Sequence, residues 1–264
     1  MSVKVLVCGT GKMGQEVLAV ACREADMKPV GVLSRSAEEE YLSLPGGSGL
    51  LPVGAEPAAL IARTHPDVVV DFTNAEWTPT VARAALEAGA RLVIGTSGLS
   101  DAFLEELGRE CRERRLGAVV GANFALGAVV MIHLARIAGR FFDYAEVIEM
   151  HHEGKVDAPS ATAMATARAM SEDRDNPFIR PPTQRENLEG TRGGAMGGVT
   201  IHSVRLPGLV ARQEVILAGP GQTLTIRHDS ISRDSFMPGV VMAIREVMER
   251  QELIVGLDRL IGLE

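Results

Sequence analysis

The stretch Val3-Lys4-Val5-Leu6-Val7-Cys8-Gly9-Thr10-Gly11-Lys12-Met13-Gly14 decides the fold. Its first six residues form an apolar run, broken only by Lys4, that reads as a buried strand. The next six carry the pattern G-x-G-x-x-G, and residues 13–22 read as the helix that follows. Each glycine has its own task in such a turn. Gly9 permits the tight bend, Gly11 lets a pyrophosphate approach the backbone, and Gly14 lets the helix pack on the strand. The helix N-terminus supplies amide donors and a favourable dipole for the anion. Gly9, Thr10, Gly11, Lys12, Met13 and Gly14 are therefore candidate dinucleotide contacts. The alternative is turn glycines without a ligand, and the flanking strand and helix argue against it.

Outward from this loop, short β-rich runs alternate with helical patterns, the signature of βαβ units and a parallel sheet. Further strands are expected at residues 30–33, 68–72, 92–94 and 118–120, with helices at 79–88 and 100–114. Pro79 suits a first helical turn, where its missing N–H costs nothing. Residues 44–54, rich in Gly, Pro and Ser, read as a loop. The rhythm changes after Asn123. A helix is expected at 126–138, a strand at 145–150, a small-residue helix at 161–170, and a long polar loop over 171–198. Residues 199–228 are strand-like, with a hairpin through Gly219-Pro220-Gly221-Gln222. A last helix is expected at 235–250. The reading is α/β: a Rossmann-type doubly wound parallel sheet with an inserted α+β domain, divided as 1–122, 123–232 and 233–264.

Composition narrows the partners. The net charge of −7 comes without any basic block, which disfavours nucleic acid, because phosphate neutralisation needs a basic face. No apolar stretch approaches a membrane span, and the N-terminus runs into a strand without a signal-like segment. Cys8, Cys22 and Cys111 are scattered and lack metal-site spacing, which suits reduced thiols in a cytoplasmic protein.

The end of the second expected strand bears on the cofactor. An acidic residue there commonly holds the ribose hydroxyls of NAD, but this chain has Ser34-Arg35-Ser36. Arg35 can pair with a 2′-phosphate, the hydroxyls can donate to it, and Lys12 can add a second cation. NADPH is therefore preferred, with NADH possible; a solvated surface charge is the alternative reading. Three more segments follow or close expected strands, where ligands lie in open α/β sheets. They contribute Phe72 and Thr73, then Gly95, Thr96 and Ser97, then Gly121, Ala122, Asn123 and Phe124.

The segment from Glu149 to Thr162, EMHHEGKVDAPSAT, carries the chemistry. Two histidines, a lysine and several hydroxyls fall between an expected strand and helix. Histidine is the side-chain type suited to proton transfer near neutrality, so His151 can act as a general acid. Ser160, Ala161 and Thr162 would lie at a helix N-terminus, which suits a carboxylate. Adjacent strand residues point to opposite faces, so one His reaches a given pocket unless the strand has ended. A capped surface loop is one alternative. A His-His-Glu metal site is another, but the spacing matches no common pattern, and no metal is expected.

This segment resembles the signature E-x-H-H-x-x-K-x-D-A-P-S-G-T-A of the 4-hydroxy-tetrahydrodipicolinate reductase (dihydrodipicolinate reductase) family. The resemblance extends along the chain. Lys12-Met13-Gly14, Asp71-Phe72-Thr73, Gly95-Thr96-Ser97-Gly98, Ala122-Asn123-Phe124 and the run from Ile201 to Gly208 are similar to family segments. It implies NAD(P)H-dependent reduction of a cyclic imine dicarboxylate and an inserted domain that builds a homotetramer. It further implies His151 as proton donor, Lys155 as second donor and His152 as a substrate contact. Ala161 and Thr162 would offer amides to a substrate carboxylate, and residues 95–97 and 121–124 would line the nicotinamide. The chain departs in a glycine loop one residue shorter than the commoner form, in Ser34 for an acidic residue, and in Ala161 for glycine. An imine or amino-acid dehydrogenase of another substrate, or a non-catalytic NAD(P)H sensor, are the competing classes.

Overall fold

A computed structural model describes residues 2–47 and 49–263; Met1, Ser48 and Glu264 lie outside the described residues. The chain opens with β1 (Val3–Cys8), α1 (Lys12–Arg23), β2 (Met27–Leu33), β3 (Tyr41–Ser43) and β4 (Leu50–Gly54). It continues through α2 (Pro57–Thr64), β5 (Val68–Asp71), α3 (Thr78–Glu87), β6 (Arg91–Ile94), α4 (Asp101–Arg114) and β7 (Ala118–Val120). Then come α5 (Leu126–Gly139), β8 (Tyr144–His151), α6 (Ala161–Glu172), β9 (Gly194–Met196), β10 (Val199–Arg205), β11 (Ala211–Gly219) and β12 (Gln222–Ser230). A 3-10 turn (Arg233–Phe236) leads into α7 (Met237–Glu249), β13 (Leu253–Val255) and α8 (Leu257–Leu260). Two compact units result, Met1–Phe124 with Phe236–Glu264, and Ala125–Ser235.

The first unit is built on a sheet of order β13-β7-β6-β5-β1-β2-β4-β3, parallel except for β3. Its central strands are apolar on both faces, as a parallel sheet covered on both sides requires. Leu6, Cys8, Val69, Leu92 and Ile94 pack with Leu60 of α2, Val81 of α3 and Leu107 of α4. Alternation sends Val5, Val7, Val68, Val70 and Val93 to the opposite face, where α1 and α7 pack on the sheet and on each other. The strand order reverses between β1 and β5, which places the glycine loop and Phe72 beside the switch point. Ligands bind at such points in open α/β sheets.

Most expected elements form within a residue or two of their expected bounds. Residues 44–54 are a correction: Leu50–Gly54 is strand β4, not loop. Pro52 and Gly54 depress its strand propensity, but it is secured by pairing with β2 at Val32↔Val53 and Leu33↔Gly54. The expected last helix starts later, at Met237, because Pro238 suits its first turn and a 3-10 turn precedes it. Residues 171–198, expected as loop, contain strand β9, which forms by antiparallel pairing with β10; the short elements β3, α2, β13 and α8 had no expectation attached to them.

The second unit is a five-stranded sheet, β12-β11-β8-β10-β9, with β8 and β10 parallel and the other pairs antiparallel. Val147, Ile201, Val215 and Leu217 pack with Met131 and Ala135 of α5 and Ala163, Ala167 and Met170 of α6. The hairpin forms where expected, with Gly219 opposite Gln222.

Close packing at the glycine loop gives a test. A Cβ on Gly14 would stand 1.9 Å from the Gly9 carbonyl oxygen, whereas one on Gly11 meets nothing within 4 Å. Gly14→Ala is expected to cost about 1–3 kcal/mol of stability, as overpacking does. Gly11→Ala should leave the urea midpoint unchanged, and equilibrium unfolding of both variants checks the contrast.

Candidate active site

The strands of the first unit end in register. Cys8 pairs with Leu33 and with Asp71, Asp71 with Ile94, and Ile94 with Val120. The residues that follow these strands, Gly9, Ser34, Phe72, Gly95 and Gly121, therefore line one sheet edge. All five cofactor-site segments expected from the sequence start on that edge, and the rest of the glycine loop follows Gly9. Gly9 has φ +100°, a conformation glycine adopts at little cost. Gly11 precedes the first turn of α1, and Lys12 is the first helical residue. Thr10, Gly11 and Lys12 are exposed, Met13 is half-buried and Gly14 is buried.

Neighbouring side chains organise this edge. Ser34 is buried, and its Oγ lies 3.3 Å from Thr10 Oγ1 and 3.3 Å from Ser36 Oγ. The exposed Arg35 guanidinium meets Glu76 at 3.1 Å and lies 6.0 Å from the Trp77 ring centroid. Asp71 Oδ1 accepts from the Thr73 amide at 2.9 Å and the Thr73 hydroxyl at 2.6 Å, holding the turn that presents Phe72. Burial pushes the Asp71 carboxyl up against the lowering effect of hydrogen bonds from Thr73 and Thr78. Thr96 is buried and accepts from Thr78 Oγ1 at 3.0 Å, while Ser97 is exposed. The Phe72 and Phe124 rings are tilted at a centroid distance of 5.5 Å. Gly95 and Gly121 make room for them: a Cβ would come within 2.0 Å of the Phe72 ring and 2.9 Å of the Phe124 ring. Ala122 is exposed and Asn123 half-buried. The open backbone at Gly11 and the cluster of strand ends fit a dinucleotide.

The other expected residues lie in the second unit. β8 ends at His151, so alternation does not dictate where His152 points; the His152 backbone carbonyl accepts from the Lys155 amide at 3.2 Å. His151 Nδ1 lies 2.5 Å from Glu149 Oε2. Lys155 Nζ donates to Asp157 Oδ1 at 2.7 Å. Ser160 caps α6 by accepting from the Ala163 amide at 3.2 Å. Ala161 and Thr162 form the first turn of that helix. Alanine suits the helical backbone at 161, so this departure from the family's glycine is accommodated. Amides in a helix's first turn lack intrahelical acceptors and favour an anion.

Two residues of this cluster had no site role assigned from the sequence. Glu149 is fully buried and accepts from Arg205 Nη2 at 2.8 Å and Nη1 at 3.0 Å, and from the Ser160 amide at 3.3 Å. Burial alone would raise its pKa, but donors from His151, Arg205 and Ser203 outweigh it and hold the carboxyl at about 2. A strand signal for Glu149 was available, since residues i and i+2 share a face and Glu149 stands two before His151. Arg205 gave no local signal; it comes beside His151 only through the pairing of β10 with β8. Among the described residues, no group of three or more His, Cys, Asp or Glu could hold a metal ion. No described helix is long and apolar enough to cross a membrane.

Fold and site together put the chain among the pyridine-nucleotide-dependent oxidoreductases. An amine dehydrogenase from Mycobacterium smegmatis shares the fold at TM-score 0.68 and 17% identity, over 98% of this chain and 96% of that one. The family profiles described as dihydrodipicolinate reductase, N-terminus and C-terminus, match residues 3–124 and 127–261. A 4-hydroxy-tetrahydrodipicolinate reductase from Dehalococcoides mccartyi is 46% identical, covering 99% of each chain. One from Lysinibacillus sphaericus is 42% identical over 99% of this chain and 100% of its own. A dipicolinate-bound dihydrodipicolinate reductase from a Paenisporosarcina species superposes with TM-score 0.88 at 40% identity, covering 98% of this chain and 99% of that one. The chain belongs to the dihydrodipicolinate reductase family.

The Glu149 cluster makes stability depend on acid. Its carboxyl, at about 2 in the folded chain, lies below its ordinary 4.5. The stabilisation is therefore complete above the ordinary value and lost as pH falls towards the folded one. That contribution is on the order of 3 kcal/mol. Acid unfolding followed by circular dichroism is expected to steepen across this window, and Glu149→Gln to remove that part of the slope.

Proposed function

We propose that this chain reduces 4-hydroxy-tetrahydrodipicolinate to tetrahydrodipicolinate with a nicotinamide dinucleotide, in the route to diaminopimelate and lysine. The observation that carries the reading is His151 on the buried carboxylate of Glu149, with Lys155 in the turn that follows, in a chain of this family. When bound, the dihydronicotinamide supplies a hydride. The remaining balance is one proton taken up and, from the 4-hydroxy substrate, one water released. His151 delivers the proton as a general acid, Lys155 serves as second donor and cationic partner, and His152 contacts substrate. Ser160, Ala161 and Thr162 present the N-terminus of α6 to a substrate carboxylate. Lys155 exchanges Asp157 for the substrate when the site fills, because a partly exposed ion pair is readily displaced.

For the dinucleotide, Gly9 to Gly14 hold the pyrophosphate, and Phe72, Thr73, residues 95–97 and residues 121–124 flank the nicotinamide. NADPH is the preferred cofactor and NADH a possible one. Support comes from the Ser34, Ser36 and Thr10 hydroxyls gathered beside Arg35. Glu76 occupies the guanidinium now, but the pair is exposed on both sides and contributes about 0–1 kcal/mol. A 2′-phosphate replaces it with stronger charge-assisted bonds. Residues 1–122 with 233–264 form the dinucleotide-binding domain, and 123–232 the substrate domain. This second domain also assembles a cytoplasmic homotetramer. Support lies in the sheet face turned away from α5 and α6, where Ile148, Met150 and Ile216 are half-buried.

Mixing the chain with the product of the preceding synthase should oxidise NADPH; no turnover with either cofactor at high enzyme concentration overturns the proposal. His151→Gln and Lys155→Ala should each lower kcat by about 10²–10⁴-fold while cofactor still binds in a fluorescence titration. Arg35→Ala should weaken NADPH about ten- to a hundredfold, the worth of a charge-assisted contact, and leave NADH nearly unaffected. Side-by-side KM values for the two cofactors check this.

A further inference from the structure

Both oxygens of Glu149 are engaged. Oε1 accepts from Arg205 Nη2 and the Ser160 amide, and Oε2 from Arg205 Nη1 and the His151 ring. An ionised carboxylate only accepts, so the proton in the 2.5 Å contact belongs to Nδ1 of His151. The other ring nitrogen, Nε2, is then the atom left to give or take a proton. Arg205 keeps the carboxylate ionised and immobile. The same guanidinium also donates to the carbonyls of Val204 and Asp157, each at 2.7 Å. It thereby ties the strand that carries His151 to the segment that carries Lys155. The Ser160 amide on Oε1 adds the cap of the helix expected to face a carboxylate.

We infer that Glu149, clamped by Arg205, is a positioning residue that fixes the Nδ1–H tautomer of His151 and so makes Nε2 the proton-transferring atom. The inference rests on the proposed role of His151 as acid. Amide substitution at 149 would invert the arrangement. A glutamine keeps its oxygen on Arg205 Nη2 and the Ser160 amide, because, of the donors around the carboxylate, only the imidazole can turn acceptor. Its NH2 then faces the His151 ring and displaces Arg205 Nη1. Nδ1 then becomes an acceptor, and the neutral ring carries its proton on Nε2. Protonating that ring sets a second N–H against the amide donor, so the imidazolium is disfavoured and proton delivery fails. A contact across i and i+2 on one strand also explains why the carboxylate is buried beneath the ring instead of reaching substrate itself.

The test reads the tautomer directly. Nitrogen NMR of histidine-labelled wild-type protein, with the His151 signals assigned through His151→Asn, is expected to show a protonated Nδ1 and an unprotonated Nε2 in the neutral ring. An Nε2–H ring in the wild type overturns the inference, and this spectrum decides even if a Glu149 variant fails to fold. Glu149→Gln should switch the ring to Nε2–H and lower kcat by about 10²–10⁴-fold, the range of general acid catalysis. KM and NADPH binding should stay within severalfold. Glu149→Asp, which retains a carboxylate, should recover part of kcat. A Gln variant that folds and shows unchanged kcat, or an equal loss in Asp and Gln, also overturns it. Because the spectrum is recorded without substrate, an inactive wild type with Nδ1–H would count against the assigned reaction and not against the tautomer.

Discussion

A carboxylate without water must be met by donors, and in this chain that requirement shapes the second unit's site. Glu149 is fully buried on the helix-facing side of β8, where an unpaired charge would cost several kcal/mol. Its donors come from three places in the chain: the end of its own strand, the end of β10, and the cap of α6. Satisfying the charge therefore fixes the spacing of His151, Arg205 and Ser160. Breaking the set would leave either an orphaned carboxylate or an orphaned guanidinium. One carboxylate thus contacts the His151 ring and also pins the cap of α6.

The first unit answers a different constraint. Parallel strands must be buried on both faces, so their apolar side chains carry no site information, and function moves to the strand ends. The register brings those ends level, and the residues just beyond them turn outward together. Gly9 is needed for its positive φ, and Gly95 and Gly121 where a ring has to come close; the Phe72 and Phe124 rings occupy the space that two missing Cβ atoms leave. Asp71 shows the cost of this arrangement. One of its oxygens holds Thr73, while burial pushes the carboxyl's pKa up.

Much of this was legible in the residues. The run into Gly9-x-Gly11-x-x-Gly14 displayed strand, turn and helix in order, because steric demands at each glycine are local. Residues 149–162 displayed the candidate cluster for a similar reason: His151, Lys155 and the Ser160 cap lie within one turn and its flanks. The strand at Leu50–Gly54 was not legible. Its Pro and Gly oppose strand formation locally, and only the edge of β2 supplies the pairing that makes it one. The short β13 depends in the same way on the edge of β7.

By itself, the sequence determined the alternation of strands and helices, the glycine loop and the capped helix at Ala161, and it singled out His151 as the candidate acid, since each rests on neighbours within a few residues. Tertiary structure alone decided that Arg205 belongs to the site, 54 positions from His151 in the chain, through the parallel pairing of β10 with β8. It also decided that Glu149 is buried and charged rather than exposed and incidental. Local patterns record what a residue can do. Burial and long-range pairing settle which of its atoms is left to do it.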